Sequence, residues 1–157
     1  MRGRVSACHY IWSLKYKNHD MHQIRFAQSE KEIAACWEVV NTLRPHLVKE
    51  NFVQQVKEMQ QEGYQLLYLP DKDRVAAFAG YRNLHSLYHG RFIYVDDLCT
   101  LPEFRGKGYA GALLDFIHLL AKDTGKSAVV LDSGFQLHDA HRLYLNKGYK
   151  LSAHHFS

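Results

Sequence analysis

The sequence predicts one mixed α/β domain around a single sheet, with elements in the order β-α-α-β-β-β-α-β-α-β. Three observations lead there. The chain has 157 residues and a mass of 18.3 kDa, which fits one ordinary domain and is too short for two. Apolar residues make up 46% and charged ones 23%, a balance that folds rather than stays disordered. Along the chain, the apolar spacing also switches repeatedly between a helical period and a strand period.

The elements follow in order. His22 to Phe26 alternates as a short strand. Ser29 is an N-cap with Glu32 at the capping-box position, and Ile33, Cys36, Trp37, Val40 and Leu43 carry one helix to Arg44-Pro45. A second helix spans Lys49 to Glu62, with Phe52, Val53, Val56 and Met59 as its stripe and Gly63 as its stop. Tyr64 to Leu69 and Val75 to Tyr81 form a hairpin about the turn Pro70 to Asp73. Asn83 to Gly90 reads as a polar connection and Phe92 to Thr100 as a longer strand. Gly108 to Asp123 is a strong helix closed by Gly125. Ala128 to Leu131 is a continuous apolar run and hence a buried strand. Ala140 to Asn146 is a short helix capped by Gly148, and Tyr149 to Phe156 is the expected last strand.

Residues 1–20 are expected to be a loosely packed extension, and 21–157 the domain proper. An upstream start chosen in place of Met21 gives the same appearance. The stretch has no continuous apolar core for a signal peptide. It also holds +3 of the net charge of +4, so residues 21–157 are nearly neutral. That argues against a nucleic-acid partner. No apolar run is long enough to span a bilayer, so no membrane partner is expected. Cys8, Cys36 and Cys99 make an odd count without a CxxC pair, which points to a reducing, cytoplasmic setting without a zinc cluster.

The chemistry concentrates in Leu98-Cys99-Thr100-Leu101-Pro102-Glu103-Phe104-Arg105-Gly106-Lys107-Gly108-Tyr109-Ala110, between a predicted strand and a predicted helix. Gly106 and Gly108 permit a tight turn and close backbone approach, and free N–H groups at the helix start would face an anion. Arg105 and Lys107 add positive charge. The pattern suits a phosphate or pyrophosphate. No Walker loop is present. Gly106-x-Gly108-x-x-Gly111 matches the dinucleotide string, but it follows a fourth strand with no repeated βαβ unit behind it.

Arg105-Gly106-Lys107-Gly108-Tyr109-Ala110 fits [RQ]-x-x-G-x-[GA] and resembles the acyl-coenzyme A pyrophosphate loop of the GNAT acetyltransferase superfamily. Ile93-Tyr94-Val95-Asp96-Asp97-Leu98 resembles that family's fourth strand. Ala140-His141-Arg142-Leu143-Tyr144 followed by Lys147-Gly148-Tyr149 resembles its late helix and closing turn. The resemblance implies a mixed, mostly antiparallel twisted sheet with helices on both faces. It implies an N-acetyltransferase that uses acetyl-CoA as cosubstrate, needs no metal and acts on a small-molecule or peptide amine. A homodimer is left open.

Residue by residue, the resemblance assigns pantetheine contacts to the backbone of Leu98, Cys99 and Thr100, and the pyrophosphate to Arg105, Gly106, Lys107, Gly108, Tyr109 and Ala110. Tyr144 matches the tyrosine that serves as general acid toward the coenzyme sulfur; the alternative is a helix tyrosine packed on the sheet. The strand is also similar to its equivalent in spermidine/spermine-type acetyltransferases, where the acid matching Asp96 is the base. Asp96 and Asp97 are adjacent and should point to opposite faces of a regular strand. Both acids are equally readable as structural. His138 and His141 stand at i and i+3 without a patterned third metal ligand. Cys99 reads as a small buried side chain rather than a nucleophile. Arg44, Pro45, His46, Asn83, His85, Tyr88 and His89 are expected to wall the acceptor site. They carry too little acid for a polycation, while an amino acid whose carboxylate meets Arg44 stays open. The rival from another class is a coenzyme A-binding sensor without turnover.

Overall fold

The computed structural model describes residues 23–155. The predicted extension 1–20 therefore lies outside the described residues, as do His22 and Phe156 of the two terminal strands. The chain forms β1 (Arg25–Phe26), α1 (Glu30–Ala35), α2 (Trp37–Leu43) and α3 (Lys49–Gln61). Three long strands follow: β2 (Tyr64–Asp71), β3 (Arg74–Ser86) and β4 (Gly90–Thr100). After a 3₁₀ turn at Pro102–Phe104 come α4 (Tyr109–Asp123), β5 (Val129–Leu131) and α5 (His138–Asn146).

Local sequence explains the first helices. Ser29 Oγ accepts from Glu32 N, while the Glu32 carboxylate takes the Ser29 N–H at 2.9 Å, a complete capping box. The predicted single helix is divided at Cys36, whose N–H bonds Ile33 O three residues back and tightens the turn. Arg44 leaves the α region at φ −125° and ψ 68°, as the residue before a proline does. Gly63 ends α3 at φ +94°.

The five strands lie in the order β1-β2-β3-β4-β5, antiparallel except for the parallel β4–β5 pair. Alternate residues of the central strands enter opposite cores. Leu66, Tyr68 and Phe78 pack with Ile33, Val39 and Phe52 on one face. Leu67, Leu69 and Ala79 pack with Leu113 and Ile117 on the other. Helices thus cover both faces, which is why β2 and β3 read as continuous apolar runs. Each fully buried leucine contributes about 1.5–3 kcal/mol. Among the described residues, no helix is long and apolar enough to cross a membrane.

Two segments differ from the sequence reading. Asn83 to Ser86 is not a connection but the far half of β3, paired residue for residue with Gly90 to Ile93. Asn83, Leu84 and His85 are exposed, so burial periodicity is lost while pairing persists. The segment 149–155 carries no strand. Its template, β5, is three residues long, and Leu151 is left exposed.

One glycine is set by packing rather than by a turn. A Cβ on Gly80 would lie 1.9 Å from the Tyr64 hydroxyl oxygen, so the bare backbone lets the Tyr64 ring cross β3. Gly80→Ala should displace that ring and cost about 1–3 kcal/mol of stability. A urea unfolding midpoint shows the loss; an unchanged midpoint contradicts this packing role.

Candidate active site

The site begins with a register fault. Gly80 pairs with Asp97 and Tyr81 pairs with Val95, so Asp96 is an extra residue in β4. Such a bulge re-aims side chains. It removes the expected opposition of the two acids: both Asp96 and Asp97 line one cavity of about 370 Å³.

The two carboxylates have different surroundings. Arg44 donates to Asp97 Oδ1 from Nε at 3.0 Å and Nη2 at 2.8 Å. Tyr64 donates its hydroxyl to Asp97 Oδ2 at 2.9 Å. Burial and the neighbouring Asp97 charge push the Tyr64 phenol far above its ordinary pKa, so it remains a donor. Asp97 is thereby held on both oxygens. Asp96 has an ion pair with Arg82, Oδ2 to Nε at 3.2 Å, but neither atom completes an aligned hydrogen bond. Burial, the largest influence, holds the Asp96 carboxyl above the ordinary aspartate value despite Arg82. Of the two acids, Asp96 is the one whose Oδ2 has no aligned donor.

Apolar side chains of α2, α3 and β2 make much of the rest of the wall, with Gln55 and Tyr94 beside them and Arg44 and His46 at the α2–α3 loop. Arg44 is already tied to Asp97, so its expected role toward a substrate carboxylate is not supported by this geometry. Asn83, His85, Tyr88 and His89 do not line the cavity. They belong to the far half of the β3–β4 hairpin and its turn.

Beyond the bulge, β4 runs on toward the glycine loop. β5 pairs with Ile93, Tyr94 and Val95 and ends there, so the β4 edge from Asp96 to Thr100 has no β5 partner. Leu101 N–H donates to Ala76 O on β3. Alternation then turns the Cys99 amide toward β3 as well, and the Leu98 and Thr100 amides toward the open edge. Cys99 is half-buried, and burial raises its thiol pKa, so it is a poor thiolate.

Gly106 and Gly108 have φ +77° and +84°, values that side chains disfavour. Gly108 is the N-cap of α4, so Tyr109, Ala110 and Gly111 open a fifteen-residue helix. Lys107 Nζ lies 3.2 Å from Asp71 Oδ2, which also accepts from Tyr109 at 2.7 Å. These bonds fasten the loop to the β2–β3 turn. Arg105 Nε reaches Thr100 O at 3.4 Å.

Tyr144 sits on α5, half-buried, with its ring edge-on to Tyr149 at 5.8 Å. Tyr149 is in turn hydrogen-bonded to His118 of α4 at 2.9 Å. Burial raises the Tyr144 pKa, so the phenol is a donor at neutral pH. His138 and His141 have ring centroids 6.3 Å apart. Among the described residues, no group of three or more His, Cys, Asp or Glu is placed to hold a metal. Sequence reasoning missed Tyr64, Gly80 and Arg82. They lie on strands far from any motif, and only the bulge brings them to the acids.

Three relatives frame these features. A family model described as acetyltransferase (GNAT) family matches residues 18–149. An uncharacterized N-acetyltransferase, YhdJ of Bacillus subtilis (strain 168), is 32% identical over 130 residues, 82% of this chain and 92% of that protein. The aminoalkylphosphonate N-acetyltransferase of Salmonella typhimurium is 33% identical over 72 residues, 45% of this chain and 47% of its own length. Among solved structures, AAC(6')-Iy in complex with the bisubstrate analogue CoA-S-monomethyl-acetylneamine superposes with a TM-score of 0.74 at 14% identity. That match covers 85% of this chain and 94% of the other, and at such identity it speaks for the fold. With the fold, the β4 bulge and the glycine loop in place, the chain belongs to the GNAT family of acetyltransferases and is an acyltransferase.

Proposed function

We propose that this enzyme moves an acetyl group from acetyl-CoA to the primary amine of a small molecule or peptide, by direct attack in a ternary complex. The observation that carries the reading is the layout of β4. One strand holds the acid pair in a cavity at its bulge and delivers the αL glycine loop at its end. The donor set suits an acyl-coenzyme A: backbone N–H groups at a helix start for the pyrophosphate, with cationic side chains beside them. The open amides of Leu98 and Thr100 suit the pantetheine arm. Arg105, Gly106, Lys107, Gly108, Tyr109 and Ala110 make the phosphate cradle. The free thiols Cys36 and Cys99 fit a reducing, cytoplasmic setting.

The reaction joins the amine nitrogen to the acetyl carbon and breaks the carbon–sulfur bond. The amine must first be neutral. Asp96, directly or through one water, takes its proton. Asp97 keeps Arg44 and Tyr64 in place around it. Tyr144 gives its phenolic proton to the departing sulfur. A strand amide at the β4 edge donates to the carbonyl oxygen as charge develops there. Thiol release from acetyl-CoA across a panel of amines tests the reading. Coenzyme binding without thiol release would favour the sensor instead.

Two variants separate the proton steps. A base must be ionised, so kcat of the native enzyme should fall as pH drops through the Asp96 pKa, which lies above the ordinary aspartate value. Asp96→Asn should lower kcat by about 10²–10⁴-fold and remove that acid limb. A surviving limb in the Asn variant would assign it elsewhere. Tyr144→Phe keeps the ring and removes only the donor. Its kcat should fall by about 10²–10⁴-fold at similar KM for acetyl-CoA. Native turnover by the Phe variant, where chemistry limits the rate, takes Tyr144 out of the mechanism.

A further inference from the structure

We infer that the acceptor is a compact amine with one positive charge and an apolar body. This rests on the acetyl-transfer reading above and adds the acceptor's class. The cavity of about 370 Å³ is at the lower end of ordinary ligand pockets and suits the amine-bearing end of a compact molecule. Its wall is divided by chemistry. Val40, Leu47, Phe52, Val56, Met59 and Leu66 are its apolar part. Among the described residues, Asp96 and Asp97 are its only carboxylates, and Glu50 is not among the lining side chains.

The two carboxylates do not make two cation sites. Asp97 is neutralised by Arg44 and takes a third hydrogen bond from Tyr64. Asp96 Oδ2 is buried against Arg82, but the side chain is 25% exposed and lines the cavity, so its other oxygen is left to meet one ammonium donor. A second or third ammonium, as on a polyamine, would lie against the leucines, Phe52 and Met59, where a charge without a partner is costly. Methylenes or a ring in the same place are favoured by burial.

An amino acid is excluded on the opposite ground. Its carboxylate would enter beside Asp96 and Asp97. The guanidinium in the wall that would offset it, Arg44, is already committed to Asp97. His46 is the remaining basic side chain in the wall, and it is exposed. Charge and surface therefore select the same ligand: a primary ammonium at the bulge and hydrocarbon toward α3.

The test compares kcat/KM by thiol release for phenethylamine and hexylamine against spermidine, alanine and glutamate, with acetyl-CoA saturating. A thermal shift with each amine alone reads binding independently of turnover. The expected result is a preference for the two apolar monoamines of at least tenfold, with melting temperature raised by them and not by the others. Met59→Glu, which places an acid on the half-buried apolar wall, should shift the phenethylamine-to-spermidine ratio at least tenfold toward spermidine. Leu47→Glu serves the same purpose if that variant does not fold. Equal or better use of spermidine or an amino acid by the native enzyme overturns the inference and leaves acetyl transfer standing. So does turnover of another amine of the panel without turnover of either apolar monoamine; acetyl-CoA binding with no turnover of any amine favours the sensor and removes the inference with the underlying reading. Failure to bind acetyl-CoA at all removes the underlying reading, and the inference with it.

Discussion

The site depends on one extra residue in one strand. Without the bulge at Asp96, β4 would alternate regularly, and its neighbouring acids would face opposite sides of the sheet. One would then lie toward the α4 core, among Ile117 and its neighbours, where an unpaired carboxylate is costly. The bulge sends both to the α2–α3 side. It also falls where the pairing with β5 stops, after Val95. The same point therefore ends the parallel ladder, aims the acids and frees the strand edge that leads to the glycine loop.

Two adjacent carboxylates need cations and hydrogen-bond donors, and the fold supplies two guanidiniums and a phenol from three elements. Arg44 comes from the end of α2, where the following proline turns the chain. Arg82 comes from β3. Tyr64 comes from β2 and crosses β3 where Gly80 has no side chain. The result is unequal. Asp97 is saturated and acts as an anchor, while Asp96 has an ion pair of poor alignment and a raised proton affinity. On the proposed reading, that inequality separates positioning from chemistry at two neighbouring positions with the same side chain.

Much of the fold was legible because local rules agreed with tertiary packing. The capping box at Ser29 and Glu32 and the glycine stops at Gly63 and Gly125 act within a few residues and need no partner. The loop from Arg105 to Ala110 was legible for the same reason, since its glycines are set by their own φ angles. What failed was non-local. The polar half of β3 looked like a loop because its pairing partner, not its burial, makes it a strand. The segment after Gly148 looked like a strand, but a three-residue β5 offers it little edge. The bulge left no signal in the sequence, so the partnership of Arg44 with Asp97 could not be read from either residue. Arg44 was instead open to a substrate.

On the proposed reading, one strand aligns an acid-lined acceptor cavity with the coenzyme loop, and a crystal structure with a covalent conjugate of coenzyme A and phenethylamine is the sharpest test of that alignment. The pyrophosphate should lie on the N–H groups of Arg105 to Ala110 and the ring among Leu47, Phe52 and Met59. The amine-derived nitrogen should lie about 3 Å from Asp96, or one water away. A conjugate whose amine half lies outside the cavity, or whose nitrogen approaches neither acid while the pyrophosphate sits elsewhere, would contradict it.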